Sequence, residues 1–281
     1  MTSMTSPLKW HGGKAYLAKS IVALMPPHTY YVEPFAGGLS VLLQKDPEDT
    51  SELVNDLNGD LVTFWRVLRG EATFARFVRQ VEAVPFARTE WDDAGAVLAD
   101  DQADAIARAV SFFVRCRQSL AGRMDAFAPP SRTRTRRGMN EQVSAWIGAV
   151  DGLPAVHARL RRVFVEHLPA LEVIRREDAP GTLFYLDPPY LPDTRSAPAV
   201  YRHEMTVEDH RELLDVVLAT QGMVMISGYP NTLYDEALAG WTRYTFDLAN
   251  HAASGASKRR MTEVLWCNFT PSALPSCGAA S

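Results

Sequence analysis

The sequence predicts an α/β fold in which a mostly parallel sheet carries helices on both faces. Short β-branched and aromatic runs alternate with segments of helical periodicity in the first and last thirds of the chain. The glycine pair Gly37-Gly38 follows the first of these strands, and the acids Asp56 and Asp187 end two others. Because ligands of such sheets bind at the carboxyl ends of the strands, the same pattern predicts where a site lies.

The first third of the chain supplies the elements around the glycine pair. Each predicted segment shows either the apolar spacing of a helix or the aromatic and β-branched content of a strand. Two prolines end the first helix, and Gly70 closes the last one. The predicted elements are a helix over 15–25, a strand over 29–35, a turn into a helix over 37–45, a strand over 51–56 and a helix over 57–70.

The middle of the chain, residues 71–162, is rich in alanine and arginine and has few strand signals. Residues 103–120 predict a strong helix, and residues 141–163 predict a helix interrupted near Gly152 and Pro154. A polar loop over 131–140 carries four arginines. We therefore predict a helical insert over 71–162 within a discontinuous domain formed by 1–70 and 163–270.

Strand and helix signals alternate again in the last third. Thr206 is a good N-cap, and two acids follow it in the first helical turn. The last two strands are expected to form a hairpin, and the tail over 271–281 is expected to be disordered. The predicted elements are strands over 163–168 and 182–187, a helix over 206–222, and strands over 223–229, 242–248 and 262–269.

Composition limits the classes of function. The 281 residues carry a net charge of −4, which gives no global signal for nucleic-acid binding but permits a local basic patch. Cys116, Cys267 and Cys277 are far apart and form no C-x-x-C pair, which argues against a disulfide framework and a zinc site. With no signal-peptide-like start and no apolar run of roughly 20 residues, we expect a cytoplasmic protein without metal or membrane contact.

Two features at predicted strand ends suggest the cofactor side of a site. Gly37 and Gly38 allow a tight turn and the close approach of a ligand, although a plain structural turn explains them equally well. Asp56 follows Glu33 by 23 residues, close to the spacing at which dinucleotide-binding sheets place an acid for ribose hydroxyls. The alternative is that Asp56 caps the helix that begins near Asn58.

A second glycine pair lies near the N-terminus, between Trp10 and Lys14. Lys14 could pair with a carboxylate, and Trp10 could pack on a ligand or a cation. The same residues are common in ordinary loops, so this motif alone is weak.

Asp187, Pro188, Pro189 and Tyr190 follow the apolar run 182–186. An aromatic amine such as adenine N6 is a poor nucleophile because its lone pair is delocalised, and it improves when both N–H groups point at acceptors. The Asp187 carboxylate and the Pro188 carbonyl can be those acceptors, since the prolines offer no competing N–H. Tyr190 can stack on the flat ring. The alternative is an ordinary strand end, where prolines are common.

Together these segments resemble a known family, the D12-class, Dam-like DNA adenine-N6 methyltransferases. The resemblance rests on KWHGGK (9–14), EPFAGG (33–38), NDLN (55–58) and FYLDPPY (184–190), in that order. SGYPNTLYD (227–235) and MTEVLWCNF (261–269) are also similar to that family's C-terminal half. The resemblance implies a Rossmann-like S-adenosylmethionine-dependent methyltransferase sheet with a helical insert for DNA recognition. The order of the motifs is that of the α group.

The resemblance also implies roles for individual residues. Asp187 to Tyr190 become the catalytic tetrapeptide, and S-adenosyl-L-methionine becomes the cofactor. The residues implied to bind the cofactor are Trp10, Lys14, Glu33, Pro34, Phe35, Gly37, Gly38, Asp56 and Asp187. The base-reading hairpin of the family is not recognisable in the insert, so the DNA target sequence stays open.

The implied reaction is direct in-line attack of a flipped or single-stranded adenine, with no covalent intermediate and no metal. The 191–204 segment is a candidate loop for closing over the base. A monomer, and pairing with a cognate restriction nuclease, both stay open. Positive side chains are expected to grip DNA, with a solvated surface as the alternative for the arginine loop. The candidates are Arg132, Arg134, Arg136, Arg137, Lys258, Arg259 and Arg260.

Three other functions are compatible with the residues. A cytosine-N4 DNA methyltransferase would use the same amine chemistry. Related pockets methylate the amide nitrogen of glutamine in proteins, usually with asparagine in place of Asp187, so the aspartate favours a nucleobase. A catalytically inactive DNA-binding relative is the third, and the intact Trp10, Lys14, Asp56 and Asp187 argue against it.

Overall fold

The computed structural model describes residues 4–10, 12–191, 194, 204–249 and 260–271. These residues form two compact units. The first unit contains Gly37–Pro47, Asn58–His167 and the described residues up to Val22. The second contains Ala23–Ala36, Glu48–Leu57 and the described residues from Leu168 onward. The predicted domain boundaries and the target-recognition role of the helical part stay predictions.

The regular elements of the described residues begin with a helix, two strands and a run of helices that a short pair of strands interrupts; from β5 onward strands and helices alternate up to the last two strands. The strands are β1 (Tyr30–Glu33), β2 (Ser51–Asn55), β3 (Thr135–Arg136), β4 (Met139–Asn140), β5 (Val163–Glu166), β6 (Thr182–Leu186), β7 (Met223–Gly228), β8 (Thr242–Ala249) and β9 (Arg260–Cys267). The helices are α1 (Ala18–Ala23), α2 (Gly59–Arg69), α3 (Glu71–Ala83), α4 (Arg88–Ala99), α5 (Ala105–Arg117), α6 (Glu141–Asp151), α7 (Leu153–Leu160), α8 (Ala170–Glu177), α9 (Val207–Ala219) and α10 (Thr232–Ala237).

Six strands lie side by side in the second unit, in the order β2-β1-β6-β7-β9-β8. The first four are parallel, whereas β9 runs antiparallel to both β7 and β8. All five residues of β6 are buried, as expected for a strand covered on both faces. The mostly parallel α/β sheet and its closing hairpin are therefore confirmed.

An apolar core joins this sheet to the helices of the second unit. Its members come from β1, β2, β6, β7, β9 and helices α8, α9 and α10, and they are buried. Burial of each large apolar side chain is worth about 1.5–3 kcal/mol relative to exposure. Thr206 and Asp209 form a capping box at the start of α9, which confirms the predicted N-cap. The core includes Val32, Leu53, Val173, Ile174, Phe184, Leu213, Ile226 and Trp266.

The first unit is mainly helical, with α2 to α7 around a cluster of aromatic rings. Phe64 stacks on Phe113 at 5.8 Å between ring centroids, and its edge contacts with Trp65 and Phe77 extend the cluster. The predicted interruption of the 141–163 segment is present, since α6 ends at Asp151 and α7 begins at Leu153. No described helix has the length and apolar content needed to span a bilayer.

Two segments of the first unit differ from the sequence prediction. The predicted helix after Gly38 is reduced to a 3-10 turn over Leu42–Gln44, and no helix runs through Leu39 because its φ of +55° lies outside the right-handed helical region. The 131–140 segment is not a simple loop, since β3 and β4 pair antiparallel within it. Its turn is made by Arg137 and Gly138, both with positive φ (53° and 73°), which is the backbone that two-residue hairpins need.

Candidate active site

The predicted motifs of the second unit lie at one edge of the sheet. β1 pairs in parallel with β2 on one side and with β6 on the other. Glu33 is the last residue of β1, Asp56 follows the end of β2, and Asp187 follows the end of β6. Three neighbouring strands thus place an acidic residue at their carboxyl ends, where open α/β sheets bind ligands. The individual roles of these residues stay predictions.

Asn55 fixes the turn that follows β1, a role that the sequence analysis did not assign. Its Nδ2 donates to the carbonyl of Pro34 at 3.0 Å and to that of Leu168 at 3.0 Å. Its Oδ1 accepts from the Leu168 amide at 2.8 Å, and its own carbonyl accepts from the Ala36 amide at 2.8 Å. Pro34 is buried and Phe35 packs against the apolar core, so both shape this turn from within the protein.

Ser227 holds the Asp187 carboxylate. The Ser227 hydroxyl lies 2.8 Å from Asp187 Oδ1, and its oxygen also lies 3.2 Å from the Tyr185 hydroxyl. Asp187 itself is half-buried, Pro188 is buried and Pro189 is half-buried. The first acid of the tetrapeptide therefore has a fixed partner from the neighbouring strand.

Tyr190 is anchored by its hydroxyl. The phenol donates to Glu263 Oε2 at 2.6 Å, and the ring meets Tyr229 edge-on at 4.6 Å between centroids. Burial, followed by the charges of Asp187 and Glu263, raises the pKa of Tyr190 well above its usual value. The phenol therefore keeps its proton and remains a donor. Only 6% of Tyr190 is exposed, so the ring is more enclosed than a free stacking platform.

In the first unit, Trp10 packs directly on the Gly37-Gly38 turn. A Cβ added to Gly37 would lie 2.7 Å from Trp10 Nε1, and one added to Gly38 would lie 2.8 Å from Trp10 Cβ. The indole of Trp65 donates to the Gly37 carbonyl at 3.1 Å. The glycines at this turn are thus required by contact with Trp10, whatever they do for a ligand.

We expect Gly37→Ala to destabilise the protein by about 2–4 kcal/mol, because Ala must adopt a left-handed φ of +46° and displace Trp10. The matched control is Gly138→Ala, since Gly138 has φ +73° but nothing within 4 Å of an added Cβ. The control should lose only about 1 kcal/mol, the cost of the backbone conformation alone. Urea unfolding of both variants checks the difference, and equal losses would exclude the Trp10 contact as its cause.

The structure leaves the predicted role of Lys14 open, but it excludes one of the two alternatives for Asp56. Lys14 is buried, and its Nζ donates to the Gly12 carbonyl at 3.0 Å, so its expected contact with a carboxylate stays a prediction. The N-cap of α2 is Asn58, whose side chain accepts from the amides of Asp60 and Leu61. The alternative in which Asp56 caps this helix is therefore wrong, and Asp56 itself is half-buried.

The four arginines of the 131–140 hairpin divide into two pairs. Arg134 lies 2.8 Å from the Glu141 carboxylate, and Arg137 donates to the hydroxyl and carbonyl of Ser144. Arg132 and Arg136 are exposed, and within the described residues neither side chain has a hydrogen-bond or ion-pair partner.

The basic cluster near the last strand cannot be placed in the same way. Lys258 and Arg259 lie outside the described residues, as does the side chain of Arg260, whose backbone begins β9. The proposed closing loop over 191–204 also lies largely outside them. The DNA contacts expected from these segments stay predictions.

Neither of the two cysteines within the described residues is suited to act as a nucleophile. Burial raises the pKa of the Cys116 thiol to about 11 and that of the Cys267 thiol to about 12. Both thiols are therefore protonated near neutral pH. Among the described residues, no group of histidine, cysteine, aspartate and glutamate side chains is arranged to hold a metal ion.

Sequence reasoning did not assign roles to Ser227, Glu263 and Asn55, although each lies in a segment that carries the family resemblance. Ser227 begins SGYPNTLYD, Glu263 stands in MTEVLWCNF, and Asn55 begins NDLN. A polar residue within an otherwise buried strand is the signal that could have identified them, because such a group needs a partner.

Comparison with known proteins identifies the family to which the sequence is similar. Residues 10–244 match the model of the family described as D12 class N6 adenine-specific DNA methyltransferase. Over 274 residues the chain is 22% identical to the type II methyltransferase M1.LlaDCHI of Lactococcus lactis subsp. cremoris, covering 93% of this chain and 94% of that protein.

Two further relatives match locally. The DNA adenine methylase of Vibrio cholerae serotype O1 is 42% identical over 64 residues, 23% of this chain and 22% of that protein. The DNA N-6-adenine-methyltransferase of Escherichia phage P1 is 36% identical over 67 residues, 24% of this chain and 9% of that protein. Because the family model covers most of the sequence, this chain belongs to the D12 class of N6 adenine-specific DNA methyltransferases.

Proposed function

We propose that this protein transfers the methyl group of S-adenosyl-L-methionine to the N6 amine of an adenine within a specific DNA sequence. The observation that carries this proposal is the fixed Asp187 carboxylate at the end of β6, held by Ser227 at 2.8 Å. It stands three residues before Tyr190, whose hydroxyl is bound to Glu263 within the protein. The tetrapeptide thus presents an oriented acceptor and an aromatic ring at the edge of the sheet where ligands bind.

The proposed chemistry follows from these groups. One N–H of the adenine amine donates to Asp187 and the other to the Pro188 carbonyl, which draws the nitrogen toward tetrahedral geometry and frees its lone pair for attack. Pro188 and Pro189 have no N–H that could compete for these acceptors. The adenine must leave the base stack to reach them, so the substrate is a flipped or single-stranded base.

S-adenosyl-L-methionine supplies an electrophilic methyl group on a sulfonium when it is bound. The residues around the sheet edge fit such a group, because Asp56 lies where related sheets place an acid for ribose hydroxyls and is not needed as a helix cap. Glu33 and the turn fixed by Asn55 lie at the end of the neighbouring strand. The residues proposed to hold the cofactor are Trp10, Lys14, Glu33, Pro34, Phe35, Gly37, Gly38, Asp56 and Asp187.

A direct assay tests the proposed function. The protein is incubated with isotope-labelled S-adenosyl-L-methionine and DNA, and the nucleosides are analysed by mass spectrometry. N6-methyladenine is the expected product. Labelled N4-methylcytosine or a labelled protein would overturn the proposed substrate, and cofactor binding without transfer to any DNA would indicate an inactive DNA-binding relative. A monomeric state, a cytoplasmic location and a cognate restriction nuclease stay predictions.

For DNA binding, we expect Arg132 and Arg136 to make phosphate contacts, because they are exposed and have no partner within the described residues. The logarithm of the DNA association constant falls linearly with the logarithm of the salt concentration, and each phosphate contact contributes about 0.9 to the steepness of this fall. Changing both arginines to glutamine should therefore make the slope shallower by about 1.8. The control is the double change Arg76→Gln and Arg79→Gln on α3, which removes the same charge from another exposed face. Fluorescence anisotropy at several salt concentrations measures both. Identical slopes for the two double variants would show that the hairpin arginines are ordinary surface charge.

A further inference from the structure

The inference concerns a contact between neighbouring strands of the second unit. β6 and β7 are parallel, and Leu186 is the register partner of Ile226. The next residues along each strand, Asp187 and Ser227, are therefore side by side. The Ser227 hydroxyl lies 2.8 Å from Asp187 Oδ1, and only 3% of Ser227 is exposed. Since this contact joins residues 40 positions apart in sequence, it depends on the fold and not on a local turn.

The direction of the hydrogen bond follows from the donor inventory. A serine hydroxyl has one proton, and a carboxylate can only accept. The Leu186 carbonyl also lies within reach of Ser227 Oγ, but at the longer distance of 3.2 Å. The shorter contact to an ionised acceptor is the stronger one, so the Ser227 proton points at Asp187.

Tyr185 completes a chain of donors. Its hydroxyl lies 3.2 Å from Ser227 Oγ and is buried. Burial, followed by the nearby Asp187 carboxylate, raises the pKa of Tyr185 well above its usual value, so the phenol keeps its proton. Because Ser227 uses its proton on Asp187, Tyr185 donates to Ser227. Hydrogen bonds in such a chain strengthen one another in a low-dielectric interior.

We propose that Ser227 is a positioning residue for methyl transfer: with Tyr185 behind it, it sets the orientation of the Asp187 carboxylate toward the target amine. A carboxylate accepts hydrogen bonds at about four lone-pair positions, so the direction of the bond from Ser227 constrains how the Asp187 carboxylate faces an amine proton. The proposal rests on the proposed function. It extends that function by placing a required group on β7, outside the catalytic tetrapeptide.

The competing explanation is that Ser227 merely satisfies its own buried hydroxyl. In that case its loss would change stability and leave turnover alone. If Ser227 orients Asp187, its loss slows the chemical step while binding of both substrates is kept. Misplacement of a reacting group by about 1 Å can cost on the order of 100-fold in rate.

The test uses the full chain and four variants: Ser227→Ala, Ser227→Thr, Tyr185→Phe and the control Ser111→Ala, a buried serine of the first unit. We expect Ser227→Ala to lower kcat about 10- to 100-fold, with the KM values for DNA and cofactor within about twofold of wild type. Ser227→Thr keeps the hydroxyl, so it should retain most of kcat even though its added methyl lowers the melting temperature. Tyr185→Phe should lower kcat about two- to tenfold, and Ser111→Ala should leave it unchanged.

The outcomes separate this inference from the proposed function. A wild-type protein that methylates no adenine overturns the proposed function and this inference with it. An active wild type whose Ser227→Ala variant keeps kcat within twofold overturns the inference alone. If kcat follows the melting temperature across the variants, so that the threonine variant is slower than the alanine variant, Ser227 is only structural. If Ser227→Ala does not fold, the other two variants decide. The inference is then overturned if Tyr185→Phe has an unchanged kcat and a folded Ser227→Thr has a kcat about ten times lower than wild type.

Discussion

Asp187→Ala should reduce methylation of DNA by about 10²- to 10⁴-fold in kcat, the range over which a positioned acid or base contributes to an enzymatic step. The physical reason is that the target amine loses its charged acceptor, whereas the neighbouring Pro188 carbonyl is kept. Because Asp187 is half-buried at a strand end and not part of the apolar core, the fold should persist. Methyl incorporation under single-turnover conditions measures the effect.

Two further variants sharpen this prediction. Asp187→Asn keeps one carbonyl oxygen as an acceptor, so its loss should be smaller than that of alanine. Asp215→Ala removes an exposed aspartate from α9 and should have wild-type activity. Circular dichroism and thermal unfolding check that all three variants fold. An Asp187→Ala variant that is folded and methylates DNA at a near-normal rate would show that Asp187 is not the acceptor.

The sheet was predictable because its signals are local. Each strand that the sequence predicts is present, since β-branched and aromatic runs bounded by prolines and glycines carry that information within a few residues. The placement of Glu33, Asp56 and Asp187 at one edge then follows from topology, because parallel neighbours end on the same side. The capping box at Thr206 was predictable for the same reason, as its two members are three residues apart.

The supporting contacts of the site were not predictable, because they join distant positions. Asp187 meets Ser227 across 40 residues, and Tyr190 meets Glu263 across 73. Both partners lie in segments that resemble the family, but nothing local in those segments indicates which distant residue each one contacts. The short hairpin over β3 and β4 was missed for another reason: its strands are polar and two residues long, so no apolar alternation marks them. The Arg137-Gly138 pair was its one local sign.

These contacts also change how the tetrapeptide is understood. From the sequence, the ring of Tyr190 is expected to stack on the target base. In the structure the Tyr190 hydroxyl donates to Glu263, a residue of β9 that is only 2% exposed. The Asp187 carboxylate and Tyr190 are thus each held by a different strand of the C-terminal part of the sheet: β7 through Ser227 and β9 through Glu263. This arrangement separates the roles of the ring and the hydroxyl, so that single substitutions can test them independently.

Tyr190→Ala should therefore mainly lower activity, whereas Tyr190→Phe should mainly lower stability. Alanine removes the ring, and loss of stacking worth about 1–3 kcal/mol corresponds to about a 5- to 150-fold fall in kcat/KM for DNA. Phenylalanine keeps the ring and removes the hydroxyl that donates to Glu263. It should keep kcat/KM within about fivefold and lose about 1–3 kcal/mol of unfolding free energy, because a buried carboxylate loses a donor.

The measurements are kcat/KM on DNA and urea unfolding of the same preparations. The control Tyr244→Phe removes the hydroxyl of another tyrosine, on β8, and should change neither quantity appreciably. If Tyr190→Phe is as inactive as Tyr190→Ala while remaining folded, the hydroxyl and its bond to Glu263 matter for the reaction itself and the ring alone does not explain the role of Tyr190. If both variants are fully active, Tyr190 is a packing residue, and the target base must be held by another group, for which the edge-on neighbour Tyr229 would be the first to test.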